Sequence, residues 1–302
     1  MRLDDYDPGD DIRDLGRGGG GFGGGGGGGM GGLLFALLPM LLGRKLGCGT
    51  ILILGAAAFF LLGPGANMLS MGDGTADPMA DSRSGGANVA CDTAAERFAC
   101  NVFGSTHQVW GQLINGYQRP TLNFYTDSNS SGCGAEQAAM GPFYCPADQG
   151  IYLDTSFFRD LETKFGAAGD AAQAYVVAHE VGHHIQTISG TSEQVRRAQQ
   201  SASRAEGNAL QVRMELQADC YAGVWANRAR TRDGQSVMEP GDMEEAMRAA
   251  GAIGDDTLMR AAGQRPVPES FTHGTSEQRM TWLRRGLQTG DPRQCNAFDT
   301  AL

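Results

Sequence analysis

The sequence is short of basic residues. Its 302 residues include 24 lysines and arginines against 34 aspartates and glutamates, which gives a formal net charge of −10. A nucleic-acid-binding surface needs a basic stripe that neutralises phosphates, and the chain does not supply one. Nucleic acid is therefore excluded as a partner.

Cysteine pairs with metal-ligand spacing are also missing. None of the seven cysteines forms a C-x-x-C pair, so zinc ligation by cysteine is not expected. Cys48 lies in an apolar run, and the six cysteines after it are an even number that suits disulfides in an oxidising compartment. We expect three disulfides, with Cys133 paired to Cys145 across a short loop and the other pairings open.

Histidine is rare as well, yet three of the five histidines stand together at His179, His183 and His184. His179 and His183 are four residues apart in a segment without proline, so they project from one face of a helix and can share a metal ion. Glu180 is turned about 100° from His179 and can act on water at the metal rather than bind it. The spacing predicts a zinc site with Glu180 as general base, and Gly190 is expected to end the helix. We expect His184 at the helix surface or behind the ligands, and a chance match on an amphipathic helix is the alternative for the whole motif.

A catalytic zinc usually takes three protein ligands, so one more donor is expected downstream. Glu215 and Asp219 are again four residues apart, in a run of helix formers at 209–230. We expect Glu215 to bind the metal and Asp219 to accept the outward N–H of a zinc-bound imidazole. The alternative is a solvated acidic helix face, which the apolar neighbours disfavour. Glu193 and Glu206 are the other candidate ligands, but neither has a carboxylate four residues later.

Four motifs together resemble a bacterial family, the neutral zinc metallopeptidases, which are zincins of the gluzincin type. They are GPFYCPAD at 141–148, AYVVAHEVGHHIQ at 174–186, ELQADCYAGVWA at 215–226 and HGTSEQR at 273–279. The resemblance covers about Asn88 to Phe298 and leaves out the glycine-rich N-terminus. It implies a zincin domain with a small sheet and an HExxH helix. Strands before this helix and helices after it indicate an α+β fold.

The resemblance also implies roles for individual residues. It places His179, His183 and Glu215 on Zn²⁺, with Glu180 as the base and Asp219 behind a metal-binding histidine. His273, with Arg279 after it, resembles a late histidine that points at the oxyanion in related gluzincins. The alternative for His273 is a capping or core residue.

Residues 143–154 predict two short strands around a turn rich in Pro, Asp and Gly. We expect this hairpin to be the sheet edge along which an extended peptide substrate binds. The alternative is an ordinary hairpin that closes the sheet.

The N-terminal part has a different composition. Residues 1–32 are acidic and then nearly all glycine, which predicts a disordered tail. Residues 33–63 predict a membrane-anchoring segment with one transmembrane helix at about 46–63. Residues 64–87 resemble a linker, and 88–302 are the expected metallopeptidase domain.

The charges beside the apolar run predict its orientation. Arg44 and Lys45 precede the run and acidic residues follow it, which by the positive-inside rule keeps the N-terminus in the cytoplasm and exports the rest. We therefore expect a single-pass protein of the inner membrane with a periplasmic or extracellular catalytic domain. A cleaved signal peptide is the alternative.

Three functions are compatible with these patterns. The first is a membrane-anchored zinc peptidase, most simply an endopeptidase, that hydrolyses peptides or proteins. The second is a catalytically silent zinc-binding adaptor of the same fold, which would have no need of Glu180. The third is an intramembrane protease, but polar residues such as Asp170 and Gln186 flank the HExxH motif where a long apolar segment would be needed.

Overall fold

A computed structural model describes residues 1–3, 6, 9, 11–17, 90–137 and 141–299. These residues form an α+β fold, as the sequence predicts. The strands are β1 Ile12–Arg17, β2 Thr121–Thr126, β3 Ser128–Ser131, β4 Gly134–Gln137, β5 Phe143–Cys145 and β6 Gly150–Leu153. The α-helices are α1 Ala94–Leu113, α2 Ser156–Thr163, α3 Asp170–Ile188, α4 Thr191–Ser201, α5 Arg204–Arg228, α6 Asp242–Ala252, α7 Asp255–Ala261 and α8 Ser276–Thr289.

Four of the strands form one sheet in the order β1-β2-β6-β5. The β1–β2 and β2–β6 pairs are parallel, and β5 runs antiparallel to β6 with Cys145 opposite Gly150. The predicted hairpin at 143–154 is therefore confirmed, and β5 is an edge strand of this sheet among the described residues. The small β3–β4 hairpin is separate.

The core lies where α3 and α5 cross. α3 is buried along most of its length and packs against α1, α5 and α6. Gly182 makes the close approach to α5 possible, because a Cβ atom there would lie 3.0 Å from the backbone of Ala218. Gly286 of α8 has the same role on the other side of α5, since a Cβ there would overlap the carbonyl oxygen of Cys220.

Three disulfides link the described residues, as expected. Cys133 bonds to Cys145, the pairing that the short loop favours, and the other two are Cys91–Cys100 and Cys220–Cys295. Cys48 lies outside the described residues.

The expectation of a disordered tail over residues 1–32 is wrong for the residues that the structure describes there. β1 pairs with β2, with Ile12 opposite Leu122. Leu3 is 2% exposed and belongs to the core, and the α-amino group of Met1 forms an ion pair with Asp170 at the start of α3. Apolar contacts and backbone pairing with a distant strand thus order a segment whose composition predicts none. The glycine run at 18–32 lies outside the described residues.

The predicted membrane anchor at 33–63 also lies outside the described residues. Within the described ranges, no helix combines the length and apolar character needed to cross a bilayer. Because β1 and β2 belong to one sheet, Arg17 and Ala90 must lie on the same side of any membrane. A topology that leaves the N-terminus in the cytoplasm and exports the rest would separate these two strands, so it conflicts with the fold.

Candidate metal centre

α3 and α5 bring the two central motifs together. His179 and His183 stand on successive turns of α3, with ring centroids 4.8 Å apart. Oε2 of Glu215, on α5, lies 3.1 Å from Nε2 of His179 and 3.5 Å from Nε2 of His183. The three ligand atoms lie within 4.8 Å of one another. Two imidazole nitrogens and a carboxylate oxygen are a donor set of catalytic zinc sites, so the residues present fit a zinc ion.

Glu215 is held by its own helix. Gln211, one turn earlier on α5, donates to Oε1 at 2.9 Å and leaves Oε2 facing the histidines. Burial alone would raise the pKa of Glu215, but interactions with His183 and His179, and a weaker one with His273, lower it well below the usual range. The carboxylate is therefore ionised, as a metal ligand must be.

His179 is oriented by a buried carboxylate. Oδ1 of Asp219 lies 2.8 Å from Nδ1 of His179 and accepts the hydroxyl of Tyr175 at 2.6 Å. Arg279 donates to both oxygens of Asp219 and to the Tyr175 hydroxyl. Burial would raise the pKa of Asp219, but Arg279 and His179 lower it. An ionised Asp219 accepts the Nδ1–H of His179 and leaves Nε2 facing the site.

Glu180 lies beside the ligands on α3. Burial raises its pKa above the usual range, with His183 and His179 acting in the opposite direction. A carboxylate with a raised pKa suits a general base that takes a proton and later returns it near neutral pH. The structure thus places Glu180 in an environment that fits the predicted role.

His273 stands on the loop before α8, and its interaction with Glu215 contributes to the lowered pKa of that carboxyl group. Asp255, the first residue of α7, accepts three backbone N–H groups of the loop at Thr272, His273 and Gly274, and its Oδ1 lies 3.0 Å from Nδ1 of His273. Asp255 thus fixes both the loop and the ring, leaving Nε2 as the free nitrogen of His273. Sequence reasoning missed Asp255.

The other sequence candidates lie elsewhere. The side chain of Glu193 is 43% exposed and pairs with Arg196 and Arg197, while Glu206 forms the capping box of α5 with Ser203. Neither approaches the metal ligands. His184 is fully buried rather than at the helix surface: it lies 2.7 Å from the carbonyl oxygen of Gln118 and 3.2 Å from the Tyr144 hydroxyl. It joins α3 to the edge strand β5.

A comparison with known families agrees with the chemistry of these donors. A family model described as "putative neutral zinc metallopeptidase" matches residues 1–298. The chain belongs to this family. The match includes the N-terminal strand, which the sequence motifs left out. The family's description names zinc, and the group of His179, His183 and Glu215 offers donors that fit this ion.

Similar proteins occur in other bacteria. The chain is 48% identical to "Uncharacterized protein YpfJ" of Escherichia coli K12 over 232 residues, which are 76% of this chain and 80% of that protein. It is 44% identical over 225 residues to "Uncharacterized protein Rv2575" of Mycobacterium tuberculosis, covering 70% and 75% respectively. No solved structure matches the chain significantly.

Proposed function

We propose that the protein is a zinc-dependent peptidase that hydrolyses peptide bonds with Glu180 as its general base. The observation that carries the proposal is the convergence of His179, His183 and Glu215 within 4.8 Å beside a buried glutamate with a raised pKa. A structural zinc site needs no such glutamate, whereas hydrolysis does.

His179, His183 and Glu215 would hold the zinc ion, which when bound would supply an activated water and polarise the substrate carbonyl. Glu180 takes the proton from the attacking water and later delivers it to the leaving amine. Its raised pKa serves both steps, because the group must be a base first and an acid afterwards. Asp219 keeps His179 oriented throughout and, with Arg279 beside it, stays ionised.

His273 is proposed to stabilise the charge that develops on the carbonyl oxygen. Asp255 accepts the Nδ1–H of the ring at 3.0 Å, so in this proposal the ring acts as the imidazolium, which alone can also donate from Nε2 to the substrate. One such donor is typically worth about 3–4 kcal/mol of transition-state stabilisation. The three backbone N–H groups bound to Asp255 keep the ring from moving away as charge develops.

The substrate is proposed to bind as an extended strand along β5. This strand lies at one edge of the four-stranded sheet and is connected to α3 by the Tyr144–His184 contact. Backbone pairing with an edge strand gives affinity without strong side-chain selectivity, which fits an endopeptidase acting on peptides or unfolded proteins.

The proposed compartment is oxidising, the periplasm or the cell exterior. Three disulfides in the described part of the chain support it. Attachment to the inner membrane through residues 33–63 is also a proposal. The β1–β2 pairing keeps Arg17 and Ala90 on one side of the membrane, so the attachment is proposed without a single crossing between these two residues.

The test is cleavage of an unfolded protein by the full chain, with the bound zinc measured in parallel. The wild type is expected to cut, and Glu180→Gln is expected to keep zinc and lose at least about a hundredfold in rate, as typical for a general base. Glu193→Gln, an exposed carboxylate, is the matched control and should cut like the wild type. A zinc-loaded wild type that cuts no unfolded protein or peptide would favour the silent adaptor instead.

A further inference from the structure

The second histidine ligand has a different support from the first. Nδ1 of His183 lies 2.9 Å from Oε1 of Gln186, one turn later on α3. An amide oxygen can only accept a hydrogen bond, so His183 must donate from Nδ1 and keeps the lone pair of Nε2 for a metal. His179 is oriented by a carboxylate, whereas His183 is oriented by a neutral amide.

The orientation of the Gln186 amide is itself fixed. Its Nε2 donates to the carbonyl oxygen of Met214 at 2.7 Å and to Oε1 of Gln217 at 3.1 Å. A flipped amide would place its oxygen against both of these acceptors. Gln186 is 0% exposed, so water cannot replace a lost partner and the unflipped state is strongly preferred.

Gln217 is held in the same way. Its Nε2 donates to the carbonyl oxygen of Cys295 at 3.1 Å, which turns its oxygen toward Gln186. Cys295 is fully buried and bonded to Cys220, one turn after Gln217 on α5. The disulfide therefore holds the carbonyl oxygen of Cys295 in place relative to α5, the helix that carries Gln217 and Glu215.

We propose that Gln186 and Gln217 are positioning residues that hold His183 in its metal-binding tautomer, and that the Cys220–Cys295 disulfide anchors this amide relay. The relay runs from a main-chain carbonyl through two amides to a ligand nitrogen, and every hydrogen bond in it has one direction only. The inference rests on the metal site of the proposed function, because the two amides are proposed to orient His183 as one of its ligands.

The test is the zinc dissociation constant of the full chain, measured by competition with a chromophoric chelator at fixed pH. Gln186→Leu is expected to weaken zinc binding about 10- to 100-fold, the usual loss when the hydrogen-bond partner of a ligand is removed. Gln217→Leu should weaken it by a smaller factor, since Met214 still holds one side of Gln186. Gln217→Glu keeps an acceptor for Gln186 but loses the N–H that the carbonyl oxygen of Cys295 accepts, so its zinc affinity should lie between those of Gln217→Leu and the wild type.

The disulfide is tested with a matched pair of double variants. Cys220→Ala with Cys295→Ala is expected to weaken zinc binding several-fold, whereas Cys91→Ala with Cys100→Ala, which removes the disulfide at the start of α1, should not. Thermal unfolding of the metal-free proteins separates this result from a loss of stability, because a merely structural role lowers the unfolding temperature without changing the zinc affinity of the folded protein.

The outcomes distinguish this inference from the proposed function. A wild type that binds no zinc would overturn the metal site itself. A wild type that binds zinc, together with folded Gln186 and Gln217 variants of equal affinity, would overturn the relay alone. If Gln186→Leu does not fold, the two Gln217 variants and the disulfide pair decide the question.

Discussion

Arg279 donates hydrogen bonds to both carboxylate oxygens of Asp219, from Nε to Oδ2 at 3.0 Å and from Nη2 to Oδ1 at 2.9 Å. Both side chains are almost fully buried, and the same carboxylate orients His179. The guanidinium thus compensates the buried charge that orients His179, and it links α8 to α3 and α5, the helices that carry the candidate metal centre.

Replacement of Arg279 should therefore damage both stability and metal binding. Arg279→Gln removes the guanidinium that pairs with the buried carboxylate of Asp219, and breaking a buried ion pair typically costs about 3–5 kcal/mol. We expect a lower free energy of unfolding by denaturant and weaker zinc binding. Arg284→Gln, on the exposed side of the same helix, is the control, and equal stability of the two variants would contradict the role given to Arg279.

Zinc affinity should depend strongly on pH. In the metal-free protein burial would lower the pKa of His179, but Asp219 and Glu215 raise it to about 10. The imidazole therefore carries a proton at neutral pH that zinc must displace. The apparent affinity should rise about tenfold per pH unit for each proton released, between about pH 6 and 9.

Asp219→Asn is the matched variant for this pH dependence. It removes the charge that raises the pKa of His179, so zinc displaces a proton from a smaller fraction of the molecules. The slope of zinc affinity against pH should therefore flatten near neutral pH. Titrations with a chelator at several pH values measure both slopes. A slope near zero in the wild type would show that zinc does not displace a proton from this site.

The residues of the candidate metal centre could be picked out from the sequence because their geometry is local. Residues four apart on a helix share a face whatever the rest of the fold does, so His179 with His183 and Glu215 with Asp219 each formed a recognisable pair. Gly182 within the first motif is what lets the two helices meet. The fold class and the Cys133–Cys145 disulfide were predictable for similar reasons, since a hairpin and a short loop are local features.

What could not be predicted depends on contacts between distant segments. Asp255 resembles an ordinary acidic residue at the start of a helix, and only the fold turns it toward His273. Gln186 and Gln217 carry no sequence signal of their pairing. β1 was missed because its sequence, IRDLGR, is charged and lacks apolar alternation, and its partner β2 lies far along the chain.

His273 and Asp255 are expected to affect catalysis rather than metal binding. His273→Ala should lower kcat by about 10²–10³, as for loss of one oxyanion donor, with zinc content unchanged. Asp255→Asn should give a smaller loss, because the ring loses its orientation but stays in place. Glu277→Gln, an exposed change nearby, is the control. Steady-state kinetics that show a change in KM alone would place His273 in substrate binding instead.

The N-terminal residues should contribute measurably to stability. Leu3→Ala removes a side chain that is 2% exposed, and such changes in a core typically cost about 2–5 kcal/mol. Leu15→Ala changes a side chain of the same segment that is 41% exposed and should cost no more than about 0.5 kcal/mol. Equal unfolding free energies for both variants and the wild type would mean that this segment does not pack on the domain.

The most direct test of the central claim is the position of bound zinc in crystals of the full chain, located by anomalous diffraction at the zinc absorption edge. The claim predicts one strong peak between His179, His183 and Glu215, which persists in Glu180→Gln and is lost or much reduced in Glu215→Ala. A peak at other residues, or none in zinc-loaded crystals, would contradict the assignment of this site.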